Sequence, residues 1–129
     1  MSSANQARSV WAWLVGRHPK KSTLAIAGVG GLLLGIVAVA TNDVVWLANV
    51  ILFALAFDLA AGLVSNLSHS TRSFWSSQSF YLRATYVVAH LSVYPLAIWI
   101  LVSSSVLGGL LTLVLAAKIL AFVSNGFRK

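Results

Sequence analysis

The chain has 129 residues, of which 59% are hydrophobic and only 9% charged, with nine Lys and Arg against two Asp and Glu. An ordinary soluble domain carries about 25% charged residues to coat its surface, so a water-soluble fold is excluded, as are collagen-like, coiled-coil and disordered chains. There is no cysteine, which removes disulfides, thiolate metal sites and thiol nucleophiles. The net charge of +7 fits Lys and Arg gathered on the cytoplasmic side of membrane segments better than a nucleic-acid partner.

Residues 1–22 hold Arg8, Arg17, Lys20 and Lys21 ahead of the first apolar run. Trp11, Trp13 and the flanking arginines suit a short helix lying in the membrane interface over 8–15, with a frayed tail as the alternative. A hydrocarbon core of roughly 30 Å needs about 17 to 25 helical residues, and four runs qualify: 23–40, 44–64, 84–102 and 106–123. Ala38-Val39-Ala40 has the small residues of a signal-cleavage site, but the run before it is longer than a usual signal core, so a retained span is expected.

Thr41, Asn42 and Asp43 form a tight turn in which Asn42 or Asp43 is placed to cap the second span, and Ser103, Ser104 and Ser105 form the other. Between the second and third spans, 65–83 reads as a long polar loop with seven serines, solvated and carrying one interfacial tryptophan, Trp75. Its arginines, Arg72 and Arg83, are too few for an anionic-lipid patch. Asn66-Leu67-Ser68 matches a glycosylation sequon, on what the charges mark as the cytoplasmic side, and is read as chance.

Lys and Arg occupy both ends and the middle loop and are absent from the two short turns. The expected fold is therefore all-α: a polytopic membrane protein forming a four-transmembrane-helix bundle, a single membrane domain over 1–129 with both termini cytoplasmic, in a cell inner or plasma membrane. Trp46 and Trp99 near the outer ends of their spans agree with this topology.

Ionisable residues within spans are the strongest functional signal, because a charge at mid-bilayer costs on the order of 2.5 to 3.5 kcal/mol even on insertion scales. Asp58, His90 and Lys118 lie five or six residues from the cytoplasmic ends of three different spans, which places them in one layer about 8 to 9 Å deep. Asp58, Gly62, Ser65, Asn66 and His69 follow one helical stripe if the second helix runs past Val64, and Arg83, Tyr86, His90 and Tyr94 follow another. Packed as a hairpin, the two spans would set Asp58 opposite His90, a pairing suited to a proton relay or ion site. The plainer reading is hydrogen-bonded glue between helices, with Lys118 snorkelling to the headgroups.

Pro95 is expected to kink the third span by releasing the Leu91 carbonyl. Ala27, Gly31 and Gly35 make a small-residue face on the first span, fit for packing within the bundle ahead of an oligomer interface, with Gly108 and Gly109 doing the same on the fourth. No protease, hydrolase, P-loop or dinucleotide motif occurs, so no enzymatic activity is expected. His69 and His90 differ too much in depth to share a haem, and two acidic residues are too few for a metal centre, so no cofactor or metal is expected. The expected partners are membrane lipid and other membrane subunits or further copies of the chain. Three functional readings follow, in this order: an accessory, assembly or scaffold component of a membrane complex, a small oligomeric transporter or channel using Asp58 and His90, and a holin-like permeabiliser.

Overall fold

The computed structural model describes residues 14–16 and 18–126, so the expected interfacial helix lies mostly outside the described residues. Among the described residues five helices follow in order: α1 (Lys21–Ala40), α2 (Trp46–Leu67), α3 (His69–Ser76), α4 (Phe80–Leu101) and α5 (Ser105–Gly126). α1, α2, α4 and α5 are each long and apolar enough to cross a membrane. Their side chains are apolar on every face, and large residues such as Ile26, Leu33, Val88, Leu96 and Leu113 remain exposed on the outside of the bundle. An outward apolar surface of this extent matches a lipid solvent.

α1 packs on α2, α2 on α5 and α5 on α4, while α2 and α4 meet only sparsely. The α2–α4 hairpin expected from their stripes is thus a minor contact, and α5 packs more extensively on each of the two than they do on each other. α5 is the most buried of the four, and its stripe of Leu107, Leu111, Leu115 and Ile119 joins Leu52, Leu59 and Ile98 in the core.

The small residues of α1 are used within the chain. Ala27, Gly31 and Gly35 are buried, and the rings of Phe57 and Phe53 lie against Gly31 and Gly35 so closely that a Cβ would sit 2.7 and 2.6 Å from ring carbon atoms. With lipid on the outside, such close packing is a main source of helix association. Gly108 receives the Trp99 ring in the same way. Gly109, expected to pack with it, has nothing within 4 Å of its Cβ position and is exposed, because it points away from α4.

Asn42 and Asp43 do not cap α2, which starts behind Val45 without a side-chain cap. Asn42 instead joins the two short turns. Its amide nitrogen donates to Asn49 Oδ1 at 2.9 Å and to the Leu101 carbonyl at 3.0 Å, and its oxygen accepts the Ser103 N–H at 2.6 Å. Asp43 offers its backbone N–H to Ser103 Oγ at 2.9 Å. Ser104 Oγ caps α5 by accepting the Leu107 N–H.

The middle segment is mostly helical rather than a solvated loop. α2 continues to Leu67, Ser68 caps α3 by accepting the Thr71 N–H at 3.3 Å, and Ser79 caps α4, which begins at Phe80, four residues before the expected start of that span. Trp75 is 2% exposed and packs edge-on against Phe122 at 5.2 Å, so it is a core residue and not an interfacial one. Eight residues with a serine at every third position gave too short an apolar face to read as a helix, and burial of Phe74 and Trp75 against α5 supplies what local propensity lacks. Pro95 is accommodated inside α4, which runs on to Leu101.

Residues 14–16 and 18 tuck against the junction of α2 and α3. Ser65 Oγ donates to the Leu14 carbonyl and shares a 2.8 Å hydrogen bond with Thr71 Oγ1, and the His18 N–H donates to Ser70 Oγ at 3.0 Å. Gly16 has φ +84°, and a Cβ there would lie 2.2 Å from the Ser70 carbonyl carbon, so both its conformation and its space demand glycine.

Candidate functional site

Asp58, His90 and Lys118 converge, with Lys118 at the centre. Its ammonium lies 3.1 Å from Asp58 Oδ2 and 2.9 Å from His90 Nε2. The lysine residue is 3% exposed. The snorkelling expected of Lys118 therefore does not occur: α5 packs against both α2 and α4, and its lysine side chain joins Asp58 on one to His90 on the other.

The reach of the lysine depends on Gly62. One turn after Asp58, Gly62 lies under the end of the Lys118 stem, and a Cβ there would be 2.4 Å from Lys118 Cε. Gly62 stood in the sequence stripe without a role. The signal that could have marked it is a side-chain-free position one helical turn from a buried acid.

The hydrogen bonds fix how the charges are arranged. His90 Nδ1 lies 2.7 Å from the Tyr86 backbone carbonyl, which can only accept, so Nδ1 carries a proton. Nε2 then meets Lys118 Nζ with one proton between the two nitrogens, held as an ammonium beside a neutral imidazole or as an imidazolium beside an amine. Asp58 Oδ2 also accepts from Tyr94 OH at 2.7 Å. Both contacts fall on the same oxygen, and among the described residues Oδ1 accepts no hydrogen bond.

Aromatic rings enclose the pair. Phe122, Tyr86, His90 and Tyr94 form a continuous stack with centroid separations of 3.9, 4.1 and 4.3 Å. The ammonium lies 5.2 Å from the Tyr94 centroid and 5.8 Å from that of Tyr86, within cation–π range. Asn66, 4% exposed, supports the stack by donating to Tyr86 OH at 3.0 Å and to the Lys118 carbonyl at 3.2 Å. The i, i+4 spacing of Tyr86, His90 and Tyr94 made this column legible; the contributions of Trp75 and Phe122 were missed, since nothing local distinguishes them from ordinary core aromatics. His69 leaves the stripe because α2 ends at Leu67, and it is exposed at the start of α3.

The cluster lies close to the middle of the helices rather than near one end. Asp58 is nine residues from Leu67, His90 ten from Phe80 and Lys118 eight from Gly126, or about 12 to 15 Å at 1.5 Å per residue. Helices longer than the expected spans account for the greater depth.

The Asp58 side chain is 39% exposed and borders two clefts. One, of about 330 Å³, opens between α2 and α4 and is lined by Asp58, Gly62, Tyr86, His90, Tyr94 and Lys118 among apolar residues. The other, of about 340 Å³, lies between α1 and α2, with Leu24, Ala27 and Phe57. Leu14 lines both. Among the described residues no three of His, Cys, Asp and Glu gather as metal ligands.

A buried ion pair of this kind is poor structural glue, because desolvation of two charges offsets much of their attraction. Its chemical capacity is clearer: a partly exposed carboxylate borders two clefts, and one proton is held between two bases. Comparison with protein-family models, with curated proteins and with solved structures finds no match to this chain.

Proposed function

We propose that the chain is a small multi-pass transporter that moves protons or a cation through a site built on Asp58, with Lys118 as the internal counter-charge and His90 as the proton acceptor. The observation that carries this reading is the convergence of Asp58, Lys118 and His90 from three helices, with Lys118 between the other two and all three lining one cleft. An ionisable group within a membrane-spanning segment is costly to insert and points by default to a proton or ion path. The accessory or scaffold reading drew part of its support from the α1 small-residue face, and that face is used against Phe53 and Phe57. No enzymatic role is proposed.

Lys and Arg at the chain ends and in 65–83 support an orientation with both termini in the cytoplasm, in an inner or plasma membrane. In that orientation the joined turns at Asn42 and Ser103 face outward. Proteoliposomes with an internal pH-sensitive dye test the proposal: the wild type is expected to dissipate an imposed pH gradient, and Asp58→Asn to leak no faster than protein-free vesicles. Wild-type vesicles without proton or cation flux would overturn it.

A further inference from the structure

The position that Lys118 Nζ occupies is already an ammonium-binding position. It has a carboxylate oxygen at 3.1 Å, an imidazole nitrogen at 2.9 Å and the rings of Tyr94 and Tyr86 at 5.2 and 5.8 Å. A metal cation prefers several oxygen ligands, and only one carboxylate is present. A carboxylate with aromatic rings in a mostly apolar cleft of about 330 Å³ suits a small organic cation.

We propose that a small organic monocation entering the α2–α4 cleft replaces the Lys118 ammonium at Asp58, and that the proton this frees leaves by way of His90. The proposal rests on the transport reading above and gives that site its substrate class. The charges balance. The incoming cation pairs with the Asp58 carboxylate, the Nζ–H bond of Lys118 breaks, and the N–H pair stays on Nζ as an amine. The proton goes to His90 Nε2 and from there to water in the cleft that His90 lines. One positive charge enters and one leaves, so the exchange is electroneutral.

Three features of the geometry support this sequence. The lysine stem lies over Gly62, where the absence of a Cβ leaves it room to swing. The protonated Nδ1 of His90 leaves Nε2 as the acceptor facing Lys118. Asp58 lines the cleft, and its Oδ1 accepts no hydrogen bond among the described residues. The titratable groups that face Lys118 are Asp58 on α2 and Tyr86, His90 and Tyr94 on α4. α3 meets α5 through Phe74 and Trp75 with its His69 and Arg72 exposed, and Arg83 lies two turns from His90 toward the α3 end.

The test uses the full chain in phosphatidylcholine nanodiscs, titrated with benzyltrimethylammonium in weak buffer containing a pH-indicator dye. This probe carries a permanent charge, so any proton released comes from the protein. The expected result is saturable release of about one proton per protein, with apparent affinity weakening about tenfold for each pH unit lowered, as linkage requires for a one-for-one exchange. Lys118→Met is expected to bind the cation more tightly than the wild type at high pH, where Asp58 stays ionised and no internal ammonium competes for it, and to release no proton there. The charge-free double variant Asp58→Asn/Lys118→Met, which leaves neither charge unpaired, is expected to bind none. Saturable binding without proton release in the wild type overturns the exchange. Absence of binding while wild-type proteoliposomes still dissipate a pH gradient overturns the substrate class and leaves the transport reading standing; absence of all flux removes that reading itself.

Discussion

At the turn end of the bundle, Asn42 commits both halves of one neutral amide to three partners, donating to Asn49 and Leu101 and accepting from Ser103. Midway along the helices, Asp58 receives Tyr94 and Lys118 on a single oxygen and turns the rest of its carboxylate to a cleft. Asn42 is 7% exposed, whereas the Asp58 side chain is 39% exposed. Both hubs join helices, but only the second has charge and an open face. A satisfied neutral amide rigidifies what it joins, while a charged group with capacity to spare is poised to exchange partners.

The largest effect on stability is expected when the charges of the second hub are unbalanced. Asp58→Asn leaves Lys118 buried with no counter-charge, and breaking a buried pair costs about 3 to 5 kcal/mol, toward the lower end here because Asp58 is partly exposed. Adding Lys118→Met should restore most of that loss while leaving transport absent, as read by thermal unfolding in detergent beside vesicle flux. If the double variant is no more stable than the single one, the two charges are not coupled. Asn42→Ala is expected to lower stability by about 1 to 3 kcal/mol, since the Leu101 carbonyl and Ser103 N–H lose their partner. Flux per folded molecule should stay near wild type. Loss of flux at unchanged unfolding temperature would erase the distinction between a structural hub and a working one.

Much of this contrast was legible from residue types and spacing. The four apolar runs, the shared layer of Asp58, His90 and Lys118, and the tyrosines one turn either side of His90 all follow from helical geometry and the cost of charge in lipid. What spacing could not reveal is which helix stands between which. The stripes of α2 and α4 matched each other, yet α5 packs more extensively on each of them than they do on each other, and that neighbour decides that Lys118 bridges instead of snorkelling. Asn42 was misread for a related reason. A turn asparagine next to a helix start suggests a local cap, but two of its three side-chain partners are 59 and 61 residues away, at the end of α4 and in the turn that follows it. α3 likewise depends on Trp75 meeting Phe122 and Tyr86, contacts without local trace.

The finest test of the second hub leaves both charges in place and moves one of them. Gly62→Ala puts a Cβ 2.4 Å from Lys118 Cε, and because the clash is with the end of a flexible side chain, the lysine shifts while the backbone holds. Overpacking of this sort costs about 1 to 3 kcal/mol, and alanine returns up to about 1 kcal/mol over glycine within a helix, so the net change in unfolding should be small. Transport is expected to fall severalfold, because the ammonium no longer sits between Asp58 Oδ2 and His90 Nε2. Gly109→Ala, with nothing within 4 Å of its Cβ position, gains the same helix propensity without touching the cluster and should leave flux unchanged. Equal flux in the two variants would mean that the position of Lys118 over Gly62 has no part in the working of the site.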